Sequence, residues 1–467
     1  MPIAVTALFV LLLFFVMTFI LKSRERAGLL ISVFLLFFFS YGHVLTLVPN
    51  FKPVVIRGVS IETDKIFFSV WCVLLALGLY LLAKTCKNLN QLTKFLNVVA
   101  AFLVIISLST ALPRQLKAKE FIHLEGEKKE EGKNDKVTQE TQALPDIYYI
   151  ILDGYASSNT LKEFFNYDNS EFINYLKEKG FYVATKSLSN YAHTHLSLAS
   201  SLNMKYINYL TEIVGEDSDD QTITHRMIID HEVGRFLRSK GYSIVRFDDG
   251  MRLFGFLPML IRTTMLGPFI ERYLTRADIR ERMLYELDKL AEIPRIKEPT
   301  FTFAHIIPPH PPYLFGPNGE MVSEELQGCR DLVCADWSLK EQYLGQLIFI
   351  TKKIRSLIDV ILSQSETPPI IILQSDHGPA SSGWMQPNEQ LFRERMSILN
   401  AYYLPGNGKS LLYESITPVN TFRLIFNHYF NANYELLDDR SYFSGLQNYK
   451  FIDVTDIIRG ESKEENY

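Results

Sequence analysis

The hydrophobic positions of this chain fall into two regimes: long unbroken runs up to residue 113, and short bursts between amphipathic stretches beyond it. Residues 3–21 (IAVTALFVLLLFFVMTFIL) carry no charge, and ~20 apolar residues at helical rise match the hydrocarbon thickness of a bilayer. Further runs at 28–48, 66–83 and 96–112 predict, with the first, a transmembrane region of four helices over 1–113. A signal peptide would need a basic start and a shorter apolar core, and the first run has neither. Lys22, Arg24 and Arg26 crowd the first short loop, and Lys84, Lys87 and Lys94 the third. Basic loops prefer the cytoplasm, so both termini are expected outside.

Residues 114–143 hold seven basic and seven acidic side chains with almost no apolar periodicity. Such a stretch cannot bury enough surface to offset its ordering entropy, and it reads as a charged, solvated linker. From Leu144 the pattern turns to strands alternating with helices. Ile147–Leu152 (IYYIIL) is a short continuous apolar run, as in a strand covered on both faces. Ser170–Lys179 is amphipathic at helical spacing and closes at Gly180, after which FYVA begins another strand. The alternation returns with GYSIVRF at 241–247, TFTFAHII at 300–307 and PIIILQS at 369–375. The expectation is an α/β domain with a mostly parallel central sheet over 144–455, followed by a flexible acidic tail over 456–467. No internal repeat is evident.

Composition alters this picture little. The 467 residues are 47% hydrophobic and 21% charged with a net charge of −4, which excludes a disordered chain, a collagen and a small disulfide scaffold. The balance is also too neutral for a nucleic-acid partner, which needs a basic excess or stripe. Divided near 113, the mild charge averages a lipid-buried anchor with a balanced linker.

In an open α/β sheet, ligands bind beyond the carboxyl ends of the strands. IYYIIL runs into Asp153-Gly154, TFTFA into His305, and PIIILQS into Asp376-His377-Gly378. Taken singly, an Asp-Gly is usually a turn and a histidine usually a satisfied polar residue. Two carboxylates and two imidazoles converging in one crevice are instead what Zn²⁺, first, or Mn²⁺, second, requires. Asn190–Met204 begins as a polar loop and becomes helical near Leu196, which puts Thr194 at a helix N-terminus, where amides and dipole favour an anion. There Thr194 or Ser197 could simply cap the helix, or Thr194 could serve as an activated nucleophile.

LDG at 152–154, T-x-x-S-L-x-S at 194–200, HIIPPHPPY at 305–313 and SDHG at 375–378 occur in the order seen in the alkaline phosphatase and sulfatase superfamily. Within it the chain resembles membrane-anchored sulfatase-like transferases, including lipid A phosphoethanolamine transferases and lipoteichoic acid synthases. TPVNTFRLIFNHYF and DDRSYF look like the end of an uncharacterised bacterial sulfatase-like group. The resemblance implies an alkaline phosphatase-like fold, with Thr194 as nucleophile and with Asp153, Thr194, Asp376 and His377 as metal ligands. It gives His305 and His310 to the transferred group or a second metal, with His310 stabilising or protonating a reacting oxygen.

Two departures accompany it. Thr194-His195-Leu196-Ser197-Leu198 lacks the oxidisable residue, the Pro and the Arg of true sulfatases, and residues 378–400 lack the further histidine that lipid A transferases usually carry. The reading is a membrane-anchored, metal-dependent phosphoryl-group transferase or phosphodiesterase. Its partner would be a membrane lipid or lipid-linked glycan, its place the bacterial inner (plasma) membrane, with the catalytic domain on the periplasmic or extracellular side. The alternatives are a sulfatase-like hydrolase of a phosphate or sulfate ester, and a catalytically silent scaffold that binds lipid-linked glycan.

Three further signals stand apart. Cys329 and Cys334 in GCRDLVCADW could form a disulfide in an oxidising compartment. Met251–Arg276 is apolar, with four arginines against one acid, which suits a core helix or, more sharply, an interfacial element against lipid headgroups. GNGKS at 406–410 ends like a P-loop but has Tyr403 where a glycine is required, and it reads as a loop.

Overall fold

The computed structural model describes residues 2–45, 54–56, 59–61, 63–84, 144–247, 265, 276–323, 326, 336–383, 387–445 and 449–460. The run at 96–112, the linker at 114–143, Cys329, Cys334, most of 251–275 and the end of the acidic tail lie outside the described residues. The chain divides into two units, Met1–Glu130 with Phe254–Thr275, and Glu131–Leu253 with Arg276–Tyr467.

In the first unit, helices Pro2–Leu21, Arg24–Leu45 and Thr63–Lys84 stand where the first three runs predict them. A short antiparallel hairpin, β1 (Val54–Ile56) and β2 (Val59–Ile61), precedes the third helix. Over the fully described residues, no helix is long and apolar enough to cross a membrane. The second and third helices are joined by Trp71, whose indole N–H donates to the Phe37 carbonyl at 3.1 Å while the two rings pack 5.1 Å apart. Met265, from the apolar and cationic stretch, donates its amide to the Phe38 carbonyl at 3.0 Å.

The second unit is built on a six-stranded sheet. Its strands are β3 (Ile147–Leu152), β4 (Tyr182–Val183), β5 (Ser243–Phe247), β6 (Thr300–Ile306), β7 (Ile370–Gln374) and β8 (Asn400–Tyr403). The order across the sheet is β4-β8-β7-β3-β6-β5. Strands β7, β3, β6 and β5 run parallel, while β8 runs antiparallel to both its neighbours, so the sheet is mostly parallel. The continuous apolar runs belong to the centre: every side chain of β3, β6 and β7 is buried. Each large one removed from water contributes roughly 1.5–3 kcal/mol. Strand β8 opens on the buried Asn400, a polar residue that interrupts the apolar stretch 398–404 and whose Oδ1 accepts from Gln374 Nε2 at 2.9 Å.

Two short strands, β9 (Tyr442–Phe443) and β10 (Ile452–Asp453), pair antiparallel near the end of the domain. The acidic tail begins later than expected. Residues Thr455–Arg459 form a helix of the domain, because the Thr455 amide and hydroxyl both bond to Asp453 and the hydroxyl oxygen accepts the Ser441 amide.

Helix Glu232–Ser239 is capped by His231, whose buried Nδ1 accepts the Gly234 N–H at 2.9 Å. Burial, with Arg246, Arg238 and Arg235 nearby, pushes this imidazole down to about 3. The unfolded chain takes up the proton near its ordinary pKa of about 6.5, so the contribution is complete above that pH and is lost as pH falls toward 3. Between pH 7 and 4 the loss is on the order of 3 kcal/mol. His231→Asn keeps a capping acceptor that does not titrate, and denaturant midpoints from pH 7 to 4 should fall less steeply in this variant. An unchanged slope would show that His231 is not responsible.

Candidate active site

The sheet register assembles the site. Ile151 of β3 pairs with His305 of β6 on one side and Gln374 of β7 on the other. Asp153 lies two residues beyond Ile151 and Asp376 two beyond Gln374, so both carboxylates leave the carboxyl edge of the sheet side by side. Each glycine that follows is required sterically. Gly154 has φ +73°, where side chains are disfavoured, and a Cβ there would meet Trp337 Cη2 at 2.5 Å. A Cβ on Gly378 would run into the carbonyl oxygen of Glu394, a backbone atom. Gly378→Ala is therefore expected to destabilise the domain by about 3 kcal/mol or more, read as a lowered denaturant midpoint. A change within about 0.5 kcal/mol would mean the loop yields.

Thr194 opens helix Thr194–Asn203 as its first residue. Its hydroxyl does not cap the helix; Oγ1 lies 3.0 Å from His377 Nε2. His377 Nδ1 lies 3.0 Å from the Gly378 carbonyl oxygen, which can only accept, so Nδ1 carries the proton. The Nε2 lone pair then faces the Thr194 hydroxyl, which is also within hydrogen-bonding reach of the Asp376 carboxylate. The helix is tied to the sheet by Tyr149, whose hydroxyl reaches Gln374 Oε1 at 2.8 Å and Ser201 Oγ at 3.1 Å.

Around this pair, His305 Nε2 lies 3.2 Å from Asp153 Oδ2, and His377 Nε2 lies 3.5 Å from Asp153 Oδ1 and 3.3 Å from Asp376 Oδ2. The Gly154 amide donates to Asp376 Oδ1 at 3.2 Å. His310 is placed by its own backbone, its amide donating to the Asp153 carbonyl at 3.0 Å. Its ring stands edge-on to Trp337, centroids 4.7 Å apart, and Nδ1 lies 2.5 Å from the Pro311 carbonyl. Asp153, His305, Asp376 and His377 are buried, whereas Thr194 and His310 are half-buried and form the accessible face.

Burial and the charge of Asp153 push Asp376 up to about 7, against the opposing pull of His305, Thr194 and Arg395. Burial acts on Asp153 too, but there His310, His305 and His377 outweigh it and hold the carboxyl below the usual range. The two carboxylates thus behave as a pair that resists carrying two charges. Burial, reinforced by Arg395, holds His377 well below its ordinary value, and burial lowers His310 as well, so both imidazoles are neutral near pH 7.

A divalent cation fits this donor set. Asp153, His305 and Asp376 can each offer one ligand atom, all within 4.8 Å of one another. Asp153 Oδ1 and Asp376 Oδ2 are buried without a well-formed hydrogen bond among the described residues. Two positive charges between them would relieve the repulsion that burial creates. The 3.2 Å from His305 to Asp153 is close to the edge of a tetrahedron with bonds of about 2.1 Å, roughly 3.4 Å.

No protein-family model and no curated protein matches the chain. Among solved structures, it is similar to the C-terminal periplasmic domain of EcEptC from Escherichia coli, at 12% identity over 70% of this chain and 97% of that one, with a TM-score of 0.45. It is also similar to the phosphonate monoester hydrolase of Agrobacterium radiobacter, at 12% identity over 64% and 80% with a TM-score of 0.41. The lipooligosaccharide phosphoethanolamine transferase EptA from Neisseria meningitidis is 13% identical over 77% and 68%, with a TM-score of 0.35. The domain's own fold is α/β, with a mostly parallel central sheet. In this domain, the ordered motifs meet at one sheet edge.

Trp337 and Arg395 belong to the same place and were not foreseen. Trp337 packs against His310, His377 and the Arg395 guanidinium. Arg395 lies in the stretch 378–400 that lacks the further histidine, inside the charged helix Glu389–Met396, where nothing local separates a buried arginine from a solvated one.

Proposed function

We propose that the second unit is the catalytic domain of a membrane-anchored, metal-dependent enzyme that transfers or hydrolyses a phosphoryl-linked group on a cell-envelope lipid or glycan. The observation that carries the proposal is the Thr194 hydroxyl, accessible at the first turn of a helix and hydrogen-bonded to a neutral imidazole beside two buried carboxylates. Asp153, His305 and Asp376 would hold the cation, which when bound draws charge from the reacting oxygens. Thr194 Oγ attacks phosphorus and gives its proton to His377 Nε2, while the donor's leaving oxygen departs with the bonding electrons and takes a proton from water. The helix N-terminal amides favour the anionic phosphoryl group.

The phospho-threonine is then resolved by an acceptor hydroxyl or by water. His310 suits this second half. With Nδ1 bonded to the Pro311 carbonyl, Nε2 carries the lone pair, and a lowered pKa keeps it ready to take the incoming proton. Oxygen re-forms a bond to phosphorus, the Thr194 Oγ–P bond breaks, and Thr194 Oγ recovers its proton from His377 Nε2 while His310 releases its proton to solvent.

Anchoring rests on the uncharged run 3–21 and on the apolar side chains its helix exposes, with Phe15 67% and Phe19 85% accessible. Contiguous exposed apolar surface of this kind requires a covering phase. Phosphopeptide mapping after exposure of the full chain to membrane lipid extract should find the adduct on Thr194. An adduct on another residue, with full activity in Thr194→Ala, would sink the mechanism.

A further inference from the structure

We infer that Arg395 is a positioning residue for the proposed reaction: its guanidinium fastens the nucleophile loop to the loop that carries Asp376 and His377. The inference rests on the functional reading above but concerns a residue with no part in it. Arg395 is 3% exposed. Its Nε donates to the Ala192 carbonyl and its Nη1 to the Gly378 carbonyl, each at 2.7 Å. Ala192 is two residues before Thr194 and Gly378 is the residue after His377, so one rigid fork spans the two segments whose side chains meet at 3.0 Å. The Gly378 amide returns a bond to the Arg395 carbonyl at 2.7 Å, which fixes the helix to the same loop.

The Gly378 carbonyl oxygen therefore has two donors, Arg395 Nη1 and His377 Nδ1. This arrangement sets the direction of the imidazole as well as the spacing of the loops, because the second donor holds the carbonyl that holds the ring. The guanidinium lies over the Trp337 ring with its central carbon 5.5 Å from the centroid. That face adds a favourable contact for the cation beyond its two carbonyls. A planar fork with fixed donor directions suits two carbonyls at once, and the single ammonium of lysine does not reproduce it.

The test uses the full-length chain in detergent, wild type against Arg395→Lys and Arg395→Ala. The probes are bis(p-nitrophenyl) phosphate for turnover and Mn²⁺ alone for ion binding. Arg395→Lys should lower kcat by ~10–100-fold with KM and Mn²⁺ affinity within about threefold, since a misplacement on the scale of 1 Å is sufficient for such a loss. Millimolar guanidinium should restore part of kcat in Arg395→Ala and none in His377→Gln. Independently of activity and of any ion, hydrogen exchange in the metal-free protein should quicken at residues 190–196 and 378–383 in Arg395→Lys, by about tenfold or more, and stay unchanged in β3 and β6.

Unchanged kcat in Arg395→Lys would overturn the inference, as would unchanged exchange in both loops. A KM that rises while kcat holds would also overturn it and make Arg395 a substrate contact instead. Failure of the functional reading looks different: wild-type protein inert toward both the diester and Mn²⁺, with the exchange result still reporting on the clamp.

Discussion

Thr194→Ala is expected to lower turnover by about 10³-fold or more, the scale on which removal of a covalent nucleophile acts. The structure limits what else the substitution disturbs. Thr194 is half-buried at the first turn of its helix, and its hydroxyl bonds to His377. Loss of one such bond costs about 1 kcal/mol, so the unfolding midpoint should change little and ion binding should persist. Thr194→Ser keeps the oxygen and should retain activity within ~100-fold, since it loses only the methyl group that restricts the side-chain rotamer. Turnover of a chromogenic phosphodiester checks both variants. Comparable rates in wild type and Thr194→Ala would remove Thr194 from the mechanism.

The second large effect concerns the carboxylate pair. Asp153→Asn and Asp376→Asn should each weaken divalent-ion binding by ~10²-fold or more, because a neutral amide replaces an anionic ligand in a buried site. His377→Gln should retain more of the ion affinity while losing turnover, since its Nε2 faces the threonine hydroxyl. Asp376→Asn should also raise the stability of the metal-free protein. Asp376 is raised to about 7 because two buried carboxyls compete for one charge, and an isosteric neutral side chain removes that conflict, a gain of about 1–3 kcal/mol. In Asp376→Asn the side-chain carbonyl can still accept the Gly154 amide that Asp376 Oδ1 accepts in the native chain. Calorimetric Mn²⁺ titration and denaturant melts with chelator read the two effects separately. Unchanged affinity in both Asn variants would rule out this ion site, and a lower metal-free midpoint in Asp376→Asn would show that the pair is not in conflict.

Much of the site could be read from sequence because it sits on elements with strong local signals. Strands β3, β6 and β7 are continuous apolar runs, and what ends each run is placed at one sheet edge by the rule for parallel sheets. Asp153, His305, Asp376 and His377 were therefore legible together. Thr194 was placed at a helix start by its polar-to-helical transition, and the structure puts it at the first helical residue. Strand β8 was not legible, since Asn400 contradicts an apolar pattern until Gln374, Ser187 and Tyr402 are seen to satisfy its amide. Arg395 was not legible either, because a charged helix of eight residues gives no sign that one of its arginines is buried among carbonyls.

Sequence by itself determined which groups the chain could bring to a reaction: a threonine, two aspartates and three histidines, each on or within a few residues of the end or start of a regular element. Periodicity carries that information locally, through backbone geometry and the burial of apolar runs. Tertiary structure alone decided how they face one another. The direction of the His377 lone pair depends on a carbonyl that Arg395 also holds, and the unequal proton affinities of Asp153 and Asp376 depend on which imidazoles lie near each. Those are distances between residues far apart in the chain, and no pattern along it encodes them.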